Sequence, residues 1–291
     1  MNTRLIAASI AGSALAAFAG GILFEHYVGT NAAIDWTGLR DAMTVRQVRS
    51  TADRSPVTPP ATAQGRTMVA LVFGQSNAGN SGESRGSEQP GVYEFYRGQY
   101  YVARDPLLGA GGEGGSIWLP LAAKLVASRE FDSVILVPFA MGASEIARWA
   151  PGGSLHDGLL AVLGRARNSG LTFTHLLWQQ GEADAFARTP GKAYQENFMA
   201  MLGAIRRQGV SAPIYVARVT RCGKVRPSDE IRNAQSGLVD AAMGILAGPD
   251  TDVLGFAERY DGCHFSSDGQ VHAAESWLAA LQAGRQVPVQ R

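Results

Sequence analysis

Residues 68–80 read MVALVFGQSNAGN. An uninterrupted apolar run passes at once into glycine, two amides and a single serine, Ser76. A continuous apolar run this short suits a strand buried on both faces, the kind found in parallel sheets covered by helices. The polar tail is then either an ordinary turn or a loop that displays Ser76 for chemistry, and the rest of the chain has to choose between them.

Outward from this stretch the pattern recurs. Short apolar runs lie at 133–139 (SVILVPF), 174–179 (THLLWQ), 213–219 (PIYVARV) and 252–256 (DVLGF). Between them, helical spacing marks 119–128, 159–167, 193–207, 230–243 and 270–281. Strands alternating with helices predict a layered α/β domain around a five-stranded parallel sheet. Such sheets bind ligands beyond the carboxyl ends of their strands, so the loops that follow each run are the ones to inspect.

Those loops are rich in polar chemistry. The first carries Gln75, Ser76 and Asn77 after Gly74, a residue that allows tight backbone geometry in front of the serine. The second carries Gly142, whose N–H can face a cleft, and Trp149, which suits either sugar stacking or core packing. The third carries Gln180, Gly181, Glu182 and Asp184. Near the fifth run, Asp261 and His264 stand three residues apart, a spacing that lets a carboxylate hold one imidazole nitrogen while the other faces a nucleophile. The other histidines fit a base less well: His26 borders the N-terminal apolar run, His175 falls inside a strand, and His156 and His272 have no strand-end acid nearby. Each loop alone reads as a turn or a cap. Together they supply a nucleophile, donors, a base and an acid, which favours display of Ser76.

The bulk numbers narrow the field. With 26 Lys and Arg against 25 Asp and Glu in 291 residues, the chain lacks the basic excess expected of a nucleic-acid binder. Cys222 and Cys263 have no CxxC partner, so a zinc site is not indicated; a disulfide and two free thiols both remain open. Residues 5–24 are free of charge and follow Arg4, the pattern of a membrane anchor that leaves the remainder outside the cytoplasm. Small-residue sites such as Ala14-Leu15-Ala16 also allow a cleaved signal. The expected organisation is an anchor or signal over 1–27, a linker over 28–66 with room for one short helix, and a catalytic domain over 67–291.

Five blocks in this order, GQSN (74–77), GASEIARW (142–149), WQQGEAD (178–184), IRNAQ (231–235) and DGCHFSSDGQ (261–270), resemble the SGNH hydrolase superfamily, in its sialic-acid O-acetylesterase-like branch of carbohydrate esterases. The resemblance spans roughly residues 67–285. It implies a three-layer α/β/α sandwich and hydrolysis of O-acetyl groups on sugars such as sialic acid or xylan, with no metal or organic cofactor. Carried onto this sequence, it makes Ser76 the nucleophile, His264 the base and Asp261 its orienting acid. The N–H groups of Ser76 and Gly142, with the Gln180 amide, become the oxyanion hole. Gln75, Asn77, Glu182, Trp149 and Arg232 fall to supporting or substrate-binding roles, with Glu182 also placed to support His264 or to pair with Arg232. The same residues would serve a membrane-tethered O-acetyltransferase, and a site that had lost its chemistry would leave a carbohydrate-binding module.

Overall fold

The computed structural model describes residues 47–58, 66–223 and 227–286. The strands are β1 (Thr67–Gly74), β2 (Val92–Tyr96), β3 (Gln99–Val102), β4 (Ser133–Ala140), β5 (His175–Gln179), β6 (Ile214–Arg218) and β7 (Ile245–Asp250). The helices are α1 (Trp118–Ala127), α2 (His156–Asn168), α3 (Glu182–Ala187), α4 (Gly191–Arg207), α5 (Asp229–Gly237) and α6 (Ser267–Gly284). Among the described residues one sheet forms, in the order β3-β2-β4-β1-β5-β6-β7. All its neighbouring pairs are parallel except β2–β3.

β1 lies inside this sheet and is buried from Met68 to Gly74. Successive side chains point to opposite faces, so its two halves feed two cores. Val69, Leu71 and Phe73 join Leu159 and Leu163 of α2 and Phe198, Met201 and Ile205 of α4. Met68, Ala70 and Val72 join Leu121 and Leu125 of α1 and Trp277 and Leu281 of α6. Helices thus cover both faces, which is why the apolar run in β1 has no polar alternation.

The sheet has seven strands where five were expected. The β2–β3 hairpin was missed because VYEFY and QYYV are short and interrupted by Glu94 and Gln99, around an Arg97-Gly98 turn with both φ values positive. The run at 252–256 is not a strand: it forms 3-10 turns at Thr251–Val253 and Phe256–Glu258. The real edge strand is ILAGPD, whose Gly and Pro read as a turn. Gly248 is there because β7 approaches β6 closely; a Cβ would lie 2.7 Å from the Ala217 backbone nitrogen. The helix expected over 230–243 stops at Gly237, and Asp240 caps a separate 3-10 turn, Ala241–Met243.

Residues 47–58, part of the stretch that reads as a linker, lie against the domain. Arg54 pairs with the buried Glu94 carboxylate of β2 and donates to the carbonyls of Arg104 (3.1 Å) and Pro106 (2.6 Å). Burial raises the Glu94 carboxyl to about 7 against the pull of Arg54. Val57 N–H donates to Tyr100 O at 2.8 Å, fastening the segment to β3. The apolar run at 5–24 and most of the Pro-rich stretch lie outside the described residues. Among the described residues, no helix is long and apolar enough to cross a membrane.

Candidate active site

Register brings the first three loops together. Gly74 of β1 is paired with Ala140 of β4 on one side and with Gln179 of β5 on the other. Ser76, Gly142 and Gly181 each follow by two residues, so three strand ends present their motifs side by side. Gly74 adopts φ +136°, and a Cβ there would fall 2.1 Å from the Gln179 carbonyl oxygen, so this position accepts only glycine. Gln75 N–H donates to Gln179 O (3.1 Å) and Met141 N–H to Gly74 O (2.9 Å), which locks the three ends. Ser76 then opens a 3-10 turn, Ser76–Ala78, and is 9% exposed. Among the described residues, the backbone N–H groups of Ser76 and Gly142 have no hydrogen-bond acceptor. Two unpaired N–H groups at adjacent strand ends are the arrangement that an oxyanion needs.

The candidate base comes from the turn between the 3-10 segment and α6. Asp261 Oδ2 accepts from His264 Nδ1 at 2.6 Å, and Oδ1 accepts from the N–H groups of Cys263 (2.8 Å) and His264 (2.7 Å). Burial works against ionisation of Asp261, but its bond to His264, the imidazole charge and the two N–H donors outweigh it and hold the carboxyl below its usual range. The Asp261 side chain is 3% exposed and that of His264 24%, so the acid is buried beside a more exposed imidazole whose Nε2 is free of Asp261. Ser266 caps α6 by accepting from Gly269 N–H, which ends the turn. A disulfide between Cys222 and Cys263 ties the turn to the loop after β6.

One carbonyl joins the Ser76 block to the His264 turn. Cys263 O accepts from Asn77 Nδ2 at 3.2 Å and from the buried Arg259 guanidinium. The residue after Ser76 is thereby bonded to the residue before His264. Ser76 and His264 themselves share no hydrogen bond in this structure. Catalytic hydrogen bonds often tighten only once substrate is bound.

The remaining expected residues divide into struts and corrections. Asn77 Nδ2 also donates to Glu182 Oε1 at 2.7 Å, so Glu182 supports the serine block and contacts neither His264 nor Arg232. Burial raises the Glu182 carboxyl, with the Asn77 bond opposing. Gln75 Oε1 accepts from Gly181 N–H (3.3 Å) and Ala183 N–H (3.1 Å), pinning the start of α3. Gln180 is fully buried and its amide hydrogens go to Ser144 O (2.8 Å) and Asp184 Oδ2, which leaves no donor for an oxyanion. Trp149 is fully buried, edge-on to Phe73, Phe139 and Trp178, so it is core and offers no face to a sugar. Arg232 is bidentate on Asp250 and reaches Asp252 at 2.7 Å, tying α5 to the end of β7 and the 3-10 turn that follows it.

One contributor stood out in the sequence only as a polar residue of the third loop, and another not at all. Asp184 Oδ2 accepts from Ile146 N–H at 2.8 Å and so braces the loop that carries Gly142. Asp184 was legible only as a helix-capping acid. Arg259 gave no signal at all, since an arginine two residues before a catalytic turn reads as a solvated charge.

The strut role of Glu182 is separable from a charge role. Glu182→Gln keeps an acceptor for Asn77 and should retain activity within about tenfold, whereas Glu182→Ala leaves the buried Asn77 amide short of a partner, at a cost of about 1–3 kcal/mol. Steady-state kinetics with both variants checks this; equal, severe losses would mean that the Glu182 charge itself is required.

Comparison with known proteins gives the family and the fold. The family described as carbohydrate esterase, sialic acid-specific acetylesterase matches residues 66–282. The probable carbohydrate esterase At4g34215 of Arabidopsis thaliana is 25% identical over 153 residues, 52% of this chain; the match spans only 57% of that relative's length. Its crystal structure superposes with a TM-score of 0.62 at 19% identity, covering 75% of this chain and 98% of that one. NanS superposes with a TM-score of 0.54 at 17% identity, covering 79% and 100%. A putative GDSL-like lipase from Parabacteroides merdae reaches 0.51 at 14% identity, covering 77% and 99%. With its family model matched over residues 66–282, this chain belongs to the family described as carbohydrate esterase, sialic acid-specific acetylesterase.

Proposed function

We propose that the protein removes O-acetyl groups from carbohydrate through an acyl-serine intermediate. The observation that carries this reading is the pair of unpaired N–H groups of Ser76 and Gly142, fixed at adjacent strand ends next to the nucleophile block. His264 Nε2 takes the proton of Ser76 as its Oγ attacks the ester carbonyl carbon. The negative oxygen of the tetrahedral intermediate accepts from the two N–H groups. The bond to the sugar oxygen then breaks, and His264 returns the proton to that oxygen. Water, deprotonated by His264, attacks the acyl carbon; the bond from that carbon to Ser76 Oγ breaks, His264 returns the proton to Oγ, and acetate leaves. Asp261 holds the imidazole in the tautomer that leaves Nε2 able to accept.

The disulfide supports placing the domain in an oxidising, extracytoplasmic compartment. The charge-free run at 5–24 supports a membrane anchor at the N-terminus. Acetate release by the full chain from acetylated xylan, O-acetylated sialic acid and other acetylated polysaccharides tests the function. Release from at least one is the expected result; turnover of small activated esters with none of the glycans would remove carbohydrate from the reading.

A further inference from the structure

The residues leading into the catalytic turn carry an unusual amount of exposed apolar surface. Val253 is 71% exposed, Phe256 51% and Tyr260 45%. Single apolar side chains at a surface need no explanation, but a large aromatic ring held beside a catalytic group does. Tyr260 directly precedes Asp261, and its ring centroid lies 6.3 Å from that of the His264 imidazole, with the planes tilted by 32°.

The ring is held in place by its backbone. Tyr260 N–H donates to His264 O at 3.0 Å, and Arg259 forms a bridge to Phe265 across the same turn. Arg259 is buried with its guanidinium on the Thr251 and Cys263 carbonyls, so the backbone that carries the tyrosine is braced from below. The phenol is therefore presented by the same closed turn that presents the base.

The chemistry states what must occupy the space in front of it. Proton return from His264 requires the leaving oxygen within about 3 Å of Nε2. The sugar ring bonded to that oxygen must then lie alongside the imidazole, in the region the Tyr260 ring borders. The alternatives are poorer. Trp149 is sealed in the core, and Phe256 has the Arg221 guanidinium over its ring at 6.0 Å.

We propose that Tyr260 is the platform for the sugar ring of the substrate, packing its aromatic face against the C–H face of the pyranose that bears the acyl group. The inference rests on the reading of the substrate as a carbohydrate ester. It assigns Tyr260 to substrate selection, since an aromatic face adds apolar contact with the glycan and none with a bare acetyl group.

Binding is measured by calorimetry on the full chain carrying Ser76→Ala, with an acetylated xylo-oligosaccharide as the probe. Adding Tyr260→Ala should weaken the dissociation constant about tenfold, adding Tyr260→Phe should leave it within about twofold because the face remains, and Met243→Ala, an exposed side chain just ahead of β7, should change nothing. In the active enzyme, Tyr260→Ala should raise KM for the acetylated oligosaccharide at least tenfold more than KM for 4-nitrophenyl acetate. Unchanged binding on adding Tyr260→Ala, equal losses on both esters, or no binding by the Ser76→Ala chain would each overturn the platform. The two readings fail differently. Glycan binding through Tyr260 with no acetate release by the wild type sinks the esterase substrate and keeps the platform. Acetate release that Tyr260→Ala leaves untouched does the reverse.

Discussion

Ser76→Ala is expected to lower kcat on an acetyl ester by about 10⁶-fold while leaving the fold intact, as loss of the serine does where nucleophile and base act as a unit. The hydroxyl has no partner among the described residues, so its removal breaks no structural hydrogen bond. Gly74, which sets the backbone ahead of it, and the struts Gln75 and Asn77 are untouched. Stability should therefore stay within about 0.5 kcal/mol of wild type. Single-turnover kinetics with a thermal melt on the same preparation measures both. Residual turnover above about one per cent of wild type would remove Ser76 from the mechanism, because the N–H pair and binding alone supply only about 10³–10⁴-fold over water.

Asp261→Asn should cost about 10⁴-fold in kcat, although it changes almost no volume. Asp261 Oδ1 holds two backbone N–H groups, and an asparagine oxygen can keep both. The asparagine NH₂ then faces His264 Nδ1, which the carboxylate formerly accepted from. Nδ1 must become the acceptor and Nε2 must carry the proton, so the atom that should receive the serine proton is already occupied. A retained crystal geometry with a collapsed kcat is the expected pairing; kcat within tenfold of wild type would show that another acid orients the base.

The same substitution has a stability signature. Asp261 titrates lower in the folded chain than the ordinary aspartate value of about 3.9. A carboxyl depressed by folding contributes stability that is present above its unfolded value and is lost as pH falls through its folded value. Wild type should thus lose stability in that acid window, and Asp261→Asn, which has no proton to take up there, should lose less. Melting temperatures followed downward from about pH 5 measure the difference.

Much of this was legible in the linear chain. MVALVF, SVILVPF, THLLWQ and PIYVARV became β1, β4, β5 and β6 because a strand buried on both faces needs a nearly unbroken apolar run. Their C-terminal glycines and polar residues marked the cleft, and Asp261-x-x-His264 showed itself as a local pair. ILAGPD and the β2–β3 hairpin were not legible. The first wears a turn's residues because its backbone crowds β6, and the second hides a buried charge, Glu94, whose partner Arg54 lies 40 residues away.

Residue types and their spacing determined the α/β class and the Asp261–His264 pair, and they named Ser76 as the candidate nucleophile, since each of these depends on neighbours within a few positions. Tertiary structure alone decided that Trp149 is core, that the Gln180 amide is spent on Ser144 and Asp184, that Arg232 belongs to Asp250, and that the Cys263 carbonyl couples Asn77 to the turn of His264. The direction in which a side chain points and the partner that satisfies it are set by packing between segments distant in sequence, and a polar group chooses the acceptor that burial leaves within reach.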